Sequence, residues 1–317
     1  MWMLLAFLVI LAPAEAAAQD TLRLRPITAA ATAILIIPGS ADFLALDGDD
    51  AWVTNEGRVE RLRANATAPI ATVAVARPCG AMSVDFNSLW VVSCAAKSLV
   101  RIDLQTARVV AELATGVADR SGELSVATGA GSVWLLTDSA GVLSRIDPAT
   151  NQVVARIAVQ PHSYAAVFGF GSVWVSTTGA RGATAPGSIQ RIDPATNRVV
   201  ATIAVGPTPR FFAAGEGGVW TLNQGDGTVS HVDPATNTLV ATIPAAVAGT
   251  GGDIATGAGR VWVRASKILL QIIDPRTNAV THKFGPVAGS GAVRANNRVV
   301  WVTAHDTRTV WVLPATP

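Results

Sequence analysis

Histidine is where catalytic or metal chemistry would show first, and the sequence has four: His162, His231, His282 and His305. They are well separated, and no metal-ligand cluster accompanies any of them. No Ser-His-Asp spacing is recognisable. No phosphate-binding Walker loop occurs either. The many glycines fall at hairpins, where a positive φ accounts for them. The expectation is therefore no catalytic residue, no metal and no cofactor. Cys79 and Cys94 give a stronger signal. They lie equally far from the centre of a hairpin between Phe86 and Asn87, and directly opposed residues on antiparallel strands bring their Cβ atoms within bridging range. A disulfide is expected, with two unpaired thiols as the alternative.

A second group of side chains suits recognition. Asp42, His162, Tyr164, Arg210 and Asp253 stand at the starts of apolar segments, and Asn223, Asp226, Arg264, His305 and Asp306 fall in loops. Tyr164 and Arg210 each precede a tryptophan by ten residues, Trp174 and Trp220 respectively. An aromatic ring and a guanidinium at equivalent points of adjacent units can stack on one ligand and hydrogen-bond to it. The equivalent position elsewhere is Asp42 or Gly80, so such a rim would be asymmetric. A small polar ligand, a peptide or a protein would suit it. For each residue the alternative is an ordinary solvated loop side chain.

These residues are positioned by a repeat. The stretch from Arg191 to Val205 reads RIDPATNRVVATIAV, and near-copies begin at Arg145 and His231, with looser ones at Arg101 and Ile272. Val199, Ala201, Ile203 and Val205 alternate with their neighbours, the periodicity of a strand rich in β-branched residues. Asp193-Pro194 is turn chemistry, and Ser188–Ile192 before it is another short strand. Each copy follows a Val-Trp-Val phrase. Trp52, Trp90, Trp134, Trp174, Trp220, Trp262 and Trp301 recur about 40 residues apart, the period of a four-stranded propeller blade. With strands A to D counted from the axis outward, the fourth unit has A at 163–168, B at 172–177, C at 188–192 and D at 198–205. The tryptophan on B is expected to pack between blades. The last unit has A to C and then stops, whereas residues 31–39 resemble a strand D without a strand C. The N-terminal segment should therefore complete the last blade and close a ring of seven.

Short, alike A–B hairpins and Asp-Pro turns leave the variation to the D–A links (115–122, 206–210, 244–252) and the B–C loops (178–187, 223–227). Both sets emerge on one face of a meander. Function sits on variable loops, so that face carries the recognition group.

Val-Trp-Val-Thr followed by Arg-Ile-Asp-Pro-x-Thr-Asn-x-Val-Val-Ala-Thr-Ile-x-Val-Gly resembles the YVTN-type β-propeller repeat, over residues 31–316. The resemblance implies the all-β propeller fold and says little about activity. Relatives of similar architecture include streptogramin B lyases, lactonases and exported binding or surface proteins. The lyases use a channel His and Glu with Mg²⁺. This chain has no Glu after Glu216, so its late blades lack that carboxylate, although Asp253 or Asp306 could replace it. The expected function is a binding or interaction module, with a lyase-like or lactonase-like enzyme at the channel mouth as the alternative.

The first residues, Met-Trp-Met-Leu-Leu-Ala-Phe-Leu-Val-Ile-Leu, form an apolar run too short to span a bilayer, and Ala16 and Ala18 suit a cleavage site. Residues 1–18 are expected to be a secretory signal peptide and 19–317 a single propeller domain, periplasmic or secreted. No basic residue precedes the apolar run, which departs from the usual pattern. Charged residues make up 15% of the chain, against about 25% for a typical globular protein. Sheets buried on both faces absorb the apolar excess. A net charge of +2 gives no reason to expect nucleic acid, and the basic residues read as scattered solvated surface. No integral membrane segment is expected in the mature chain.

Overall fold

A computed structural model describes residues 22–114, 125–136, 141–179, 185–249 and 251–316. The expected signal peptide lies outside them. Seven antiparallel sheets follow one another along the chain. Strand A of each blade lies against strand A of the next, all the way round from blade 7 back to blade 1, so the sheets form a closed ring. The fourth blade consists of Ser163–Gly169, Ser172–Thr177, Gly187–Asp193 and Arg198–Val205, close to the expected ranges. No helix among the described residues is long and apolar enough to cross a membrane.

Burial follows strand order. Strand B of blade 4 is buried at every residue, because a neighbouring blade covers each of its faces. Strand D, at the rim, alternates exposed and covered residues. All seven strand B tryptophans are fully buried. Trp52 packs with Leu89, Val91 and Val100 of the next blade, as a wedge between blades must. The indole N–H of Trp134, Trp174, Trp220 and Trp262 donates to the carbonyl of Gly129, Gly169, Gly215 and Gly257 respectively, which ties strand B to its own A–B hairpin.

The repeated phrase has a tertiary explanation. In blades 2 to 4 the strand C arginine stacks on the strand B tryptophan: Arg101 on Trp90, Arg145 on Trp134, Arg191 on Trp174, at 4.9 to 5.3 Å. Its Nε donates to a serine hydroxyl in its own blade, Ser88, Ser132 or Ser172, at 2.8 Å. Its Nη1 reaches the C–D turn of the following blade. Arg145 donates there to the Pro194 carbonyl and to Asn197 Oδ1, and Arg191 to Pro234 and Asn237. The turn asparagines hold left-handed backbone, φ 56° at Asn197 and 57° at Asn237, a conformation Asn tolerates better than most residues. Asp193 Oδ1 accepts the Ala195 N–H, and the Thr196 hydroxyl donates to Oδ2. These hydrogen bonds hold the Asp193 carboxyl below its ordinary range, and the same holds at Asp103, Asp147, Asp233 and Asp274. Arg, Asp, Thr and Asn thus recur because a latch and a turn need all four. These arginines are structural, which corrects the reading of the basic residues as solvated surface.

In blade 5 a histidine takes the latch position. His231 lies flat on Trp220, with ring centroids 3.7 Å apart, and its Nδ1 is 2.7 Å from Asn278 Oδ1. His231 is therefore a half-buried ring between blades and not a surface side chain. Burial lowers its pKa against the opposing effects of Asn278 and Asp233. Gly218 replaces the serine, and a Cβ there would collide with His231 Nε2. His282 is also partly covered, 3.0 Å from the Thr281 hydroxyl.

Closure is as expected. Ala33–Ile36 pairs antiparallel with Thr309–Pro314, Ala33 opposite Val312 and Ile36 opposite Thr309. An unforeseen fifth strand, Leu24–Pro26, runs parallel to the outer edge of blade 6, with Leu24 opposite Lys283. Three residues, Leu-Arg-Pro, are too few to show strand periodicity, which explains why the sequence hides it.

Cys79 and Cys94 are bonded, with Cα atoms 6.0 Å apart. Their geometry differs from the simple expectation. Ser83 opposes Trp90, but the register slips before Pro78, which opposes Ser93. Cys79 N–H then donates to Val92 O and Cys94 N–H to Arg77 O, so the cysteines are diagonal neighbours. Ala81 meanwhile bridges to Ser125 of blade 3.

Candidate functional site

The starts of the A strands converge on the axis at the face of the D–A links and B–C loops. Three aromatic rings meet there. Phe43, entering blade 1, lies 6.2 Å from Phe211 of blade 5 across the opening, and Tyr164 of blade 4 meets Phe211 edge-on at 5.4 Å. Phe43 and Phe211 are buried, and together the rings plug the channel.

Arg210 lies on the plug, its guanidinium carbon 5.3 Å above the Tyr164 ring. Asp42, Arg210, Gly251, Gly252, Ser290 and Gly291 surround a recess of about 30 Å³ over Phe43 and Phe211, room for a water or two. Asp42, Tyr164 and Arg210 are thus brought together. They present an anion, an aromatic face and a cation at one mouth.

The other expected residues have varied settings. His162 is exposed beside this mouth with left-handed backbone, φ 63°, and its carbonyl accepts the Thr178 N–H. Asn223 is wholly buried: its amide donates to Thr228 and Ser230 and accepts from Thr221, so it braces the blade 5 B–C loop. Arg264 is also fully buried, its Nε, Nη1 and Nη2 each donating to a carbonyl, of Thr303, Ala265 and Ala288 respectively. Burial pushes its pKa down to about 10, while the charges of Asp42, Asp306 and Asp253 oppose that shift. His305 Nδ1 is 2.7 Å from Asp306 Oδ1, in a half-exposed turn of the same face. Asp226 Oδ1 accepts from the backbone and hydroxyl of Thr228. Among the described residues no three His, Cys, Asp or Glu side chains gather to hold a metal.

Asp253 lies below the plug, almost completely buried. Oδ1 accepts the Ile254 N–H, and Oδ2 accepts the Val293 N–H and the Arg294 guanidinium. Burial raises its pKa against Arg294 and these hydrogen bonds. Arg294 was not among the sequence candidates. The signal for it is internal: seven residues before the blade tryptophan, other blades carry Ala45, Ser83, Ala127, Val167, Ala213 and Ala255. Phe43 and Phe211, nine residues before Trp52 and Trp220, are readable in the same way, but their meeting across the ring is not.

Fold and mouth together define a seven-bladed β-propeller with a polar, aromatic-plugged axial face. Residues 39–187 match the family model of a repeat of unknown function, DUF6923; the YVTN-type resemblance stands beside that match as a resemblance only. No curated protein matches the chain. Among solved structures, Kuenenia stuttgartiensis hydrazine synthase is similar, with a TM-score of 0.74 and 14% identity over 88% of this chain and 96% of that one. At that identity the likeness establishes the fold alone.

Proposed function

We propose that the protein is an exported binding module that recognises a small polar ligand or a peptide at the axial mouth of its loop face, on a propeller of the YVTN-type repeat class. One observation carries the reading: Arg210 and Tyr164, from adjacent blades, stack on each other beside Asp42 where the A strands converge. A guanidinium already oriented by an aromatic face loses little freedom on pairing with a ligand carboxylate or carbonyl. The disulfide and the apolar leader-like start of the sequence support export to an oxidising compartment. No observation among the described residues favours the lyase-like or lactonase-like alternative.

A panel of short peptides and small polar metabolites, followed by amide chemical shifts, tests the reading. Shifts should cluster at Asp42, Tyr164 and Arg210. Tyr164→Ala and Arg210→Ala should each weaken the selected binder more than Asp193→Ala and Glu216→Ala on the opposite face. Equal or reversed effects would reject the loop face.

A further inference from the structure

Below the aromatic plug the channel opens into a second space that the loop-face reading does not use. It encloses about 260 Å³ and is bordered by strand A residues of blades 2 to 7. Phe211 borders both this chamber and the recess above, so the plug separates the two. The chamber is open to solvent, and with the plug above it the opening faces the A–B hairpins.

Its walls are mixed: apolar side chains, Val126, Ala127, Ala166, Phe168, Ile254 and Ala295 among them, share the lining with hydroxyl and charged groups. The Ser83 and Thr128 hydroxyls bond to each other at 2.8 Å. One charged pair borders the space, Asp253 with Arg294, and its halves are unequal. Asp253 is 3% exposed, and both its oxygens are occupied. The Arg294 side chain is 24% exposed. Among the described residues its hydrogen bonds, to Asp253 and the Val293 carbonyl, run through Nη1 alone. Guanidinium carries five N–H donors, so Nε and Nη2 remain for a guest. The pair therefore offers the chamber donors and no acceptor. Asp253 also fixes the guanidinium before any guest arrives, which lowers the ordering cost of binding.

We propose that this chamber binds a small organic carboxylate, its apolar body against the alanine, valine and phenylalanine walls and its carboxylate paired with Arg294. A fork of N–H donors matches a carboxylate geometrically, and the alanine, valine and phenylalanine side chains give the remainder of the molecule apolar surface to cover. The site is distinct from the loop-face mouth, and its occupant enters from the other side of the ring.

Benzoate and its neutral isostere benzamide are the probes, titrated into the full-length mature protein by calorimetry. Benzoate should bind at least tenfold more tightly than benzamide. The Asp253→Asn/Arg294→Gln double variant removes both charges together, so neither is left buried without its partner, and it should abolish that preference. Arg308→Gln, at an exposed arginine of the loop face, should leave the preference unchanged, which ties it to Arg294 rather than to surface charge. In the wild-type protein the Arg294 Nε resonance should shift saturably with benzoate, a readout that holds even if the double variant fails to fold. Equal affinity for the two probes, no binding of either, a preference retained in a folded double variant, or an unmoved Arg294 resonance would each overturn the proposal.

Discussion

Two arcs of the ring are held together by different means. From blade 2 to blade 5 each junction repeats one device: a strand C arginine stacked on a tryptophan and hooked to the next C–D turn, with His231 as the last variant. At the junctions of blade 6 with blade 7 and of blade 7 with blade 1 that device is gone, whereas Arg61 of blade 1 keeps the hook, donating to the Leu104 carbonyl of the next C–D turn. Ile272 and Val312 occupy the strand C position. In its place are an N-terminal strand in each of two blades, the buried Arg264 spanning three carbonyls, and the Asp253–Arg294 pair. Repetition suffices where neighbouring blades are alike. Where the two ends of the chain meet, they cannot be alike, and unique buried contacts carry the junction. The buried charges, Asp50, Glu60, Asp253 and Arg264, gather in that second arc as well, because they need unique partners.

Removing residues through Gly39 should have the largest effect. It takes away both N-terminal strands and opens blade 7, so thermal and denaturant unfolding should lose their single cooperative transition. A truncated protein that melts like the intact one would show that the closing arc does not hold the ring. Arg264→Met comes next. It strands three buried carbonyls and leaves nearby aspartates without their counter-charge, and should cost about 3–5 kcal/mol in urea unfolding.

Arg191→Ala, on the repetitive arc, removes one stacking contact and charge-assisted hydrogen bonds at a partly exposed site. The expected cost is about 1–2 kcal/mol. If it equals that of Arg264→Met, the contrast between arcs fails. The smallest effect is acid dependence. The turn aspartates have folded-state pKa values below their ordinary value. Their contribution is therefore present above the ordinary carboxylate pKa and lost as pH falls through the depressed folded values, below pH about 4. Asp147→Asn/Asp193→Asn should flatten the fall in stability over that window, measured by urea midpoints. An unchanged slope would mean these turns add no acid sensitivity.

Much of this was legible from residues alone, for a physical reason. Strand alternation, Asp-Pro turns and a recurrent tryptophan are local or periodic signals, and each blade is a local meander. Seven such units and a missing last strand specify a ring closed by the segment around residues 31–37, and the structure sets the register, 33–36 against 309–312. The cysteine pair was legible too, because a hairpin turns distance along the chain into proximity. The slip that makes them diagonal was not, since it depends on Ala81 bridging to the next blade.

What the tertiary structure alone decided concerns the axis and the junctions. Tyr164 and Arg210 could be aligned from the repeat, but only the closed ring brings Phe211 against Phe43 from a distant blade and so divides the channel into a recess and a chamber. Arg264 and Asn223 have the composition of a binding loop, yet packing turns them inward, where they donate to partners within the protein. The repeated arginines look solvated in sequence because their partners belong to the following blade. Local sequence determines strands and turns, whose hydrogen bonds and side-chain periodicity are short-range. Burial, charge partnership and the shape of the axial space arise from contacts between blades far apart in the chain, and only the closed ring could set them.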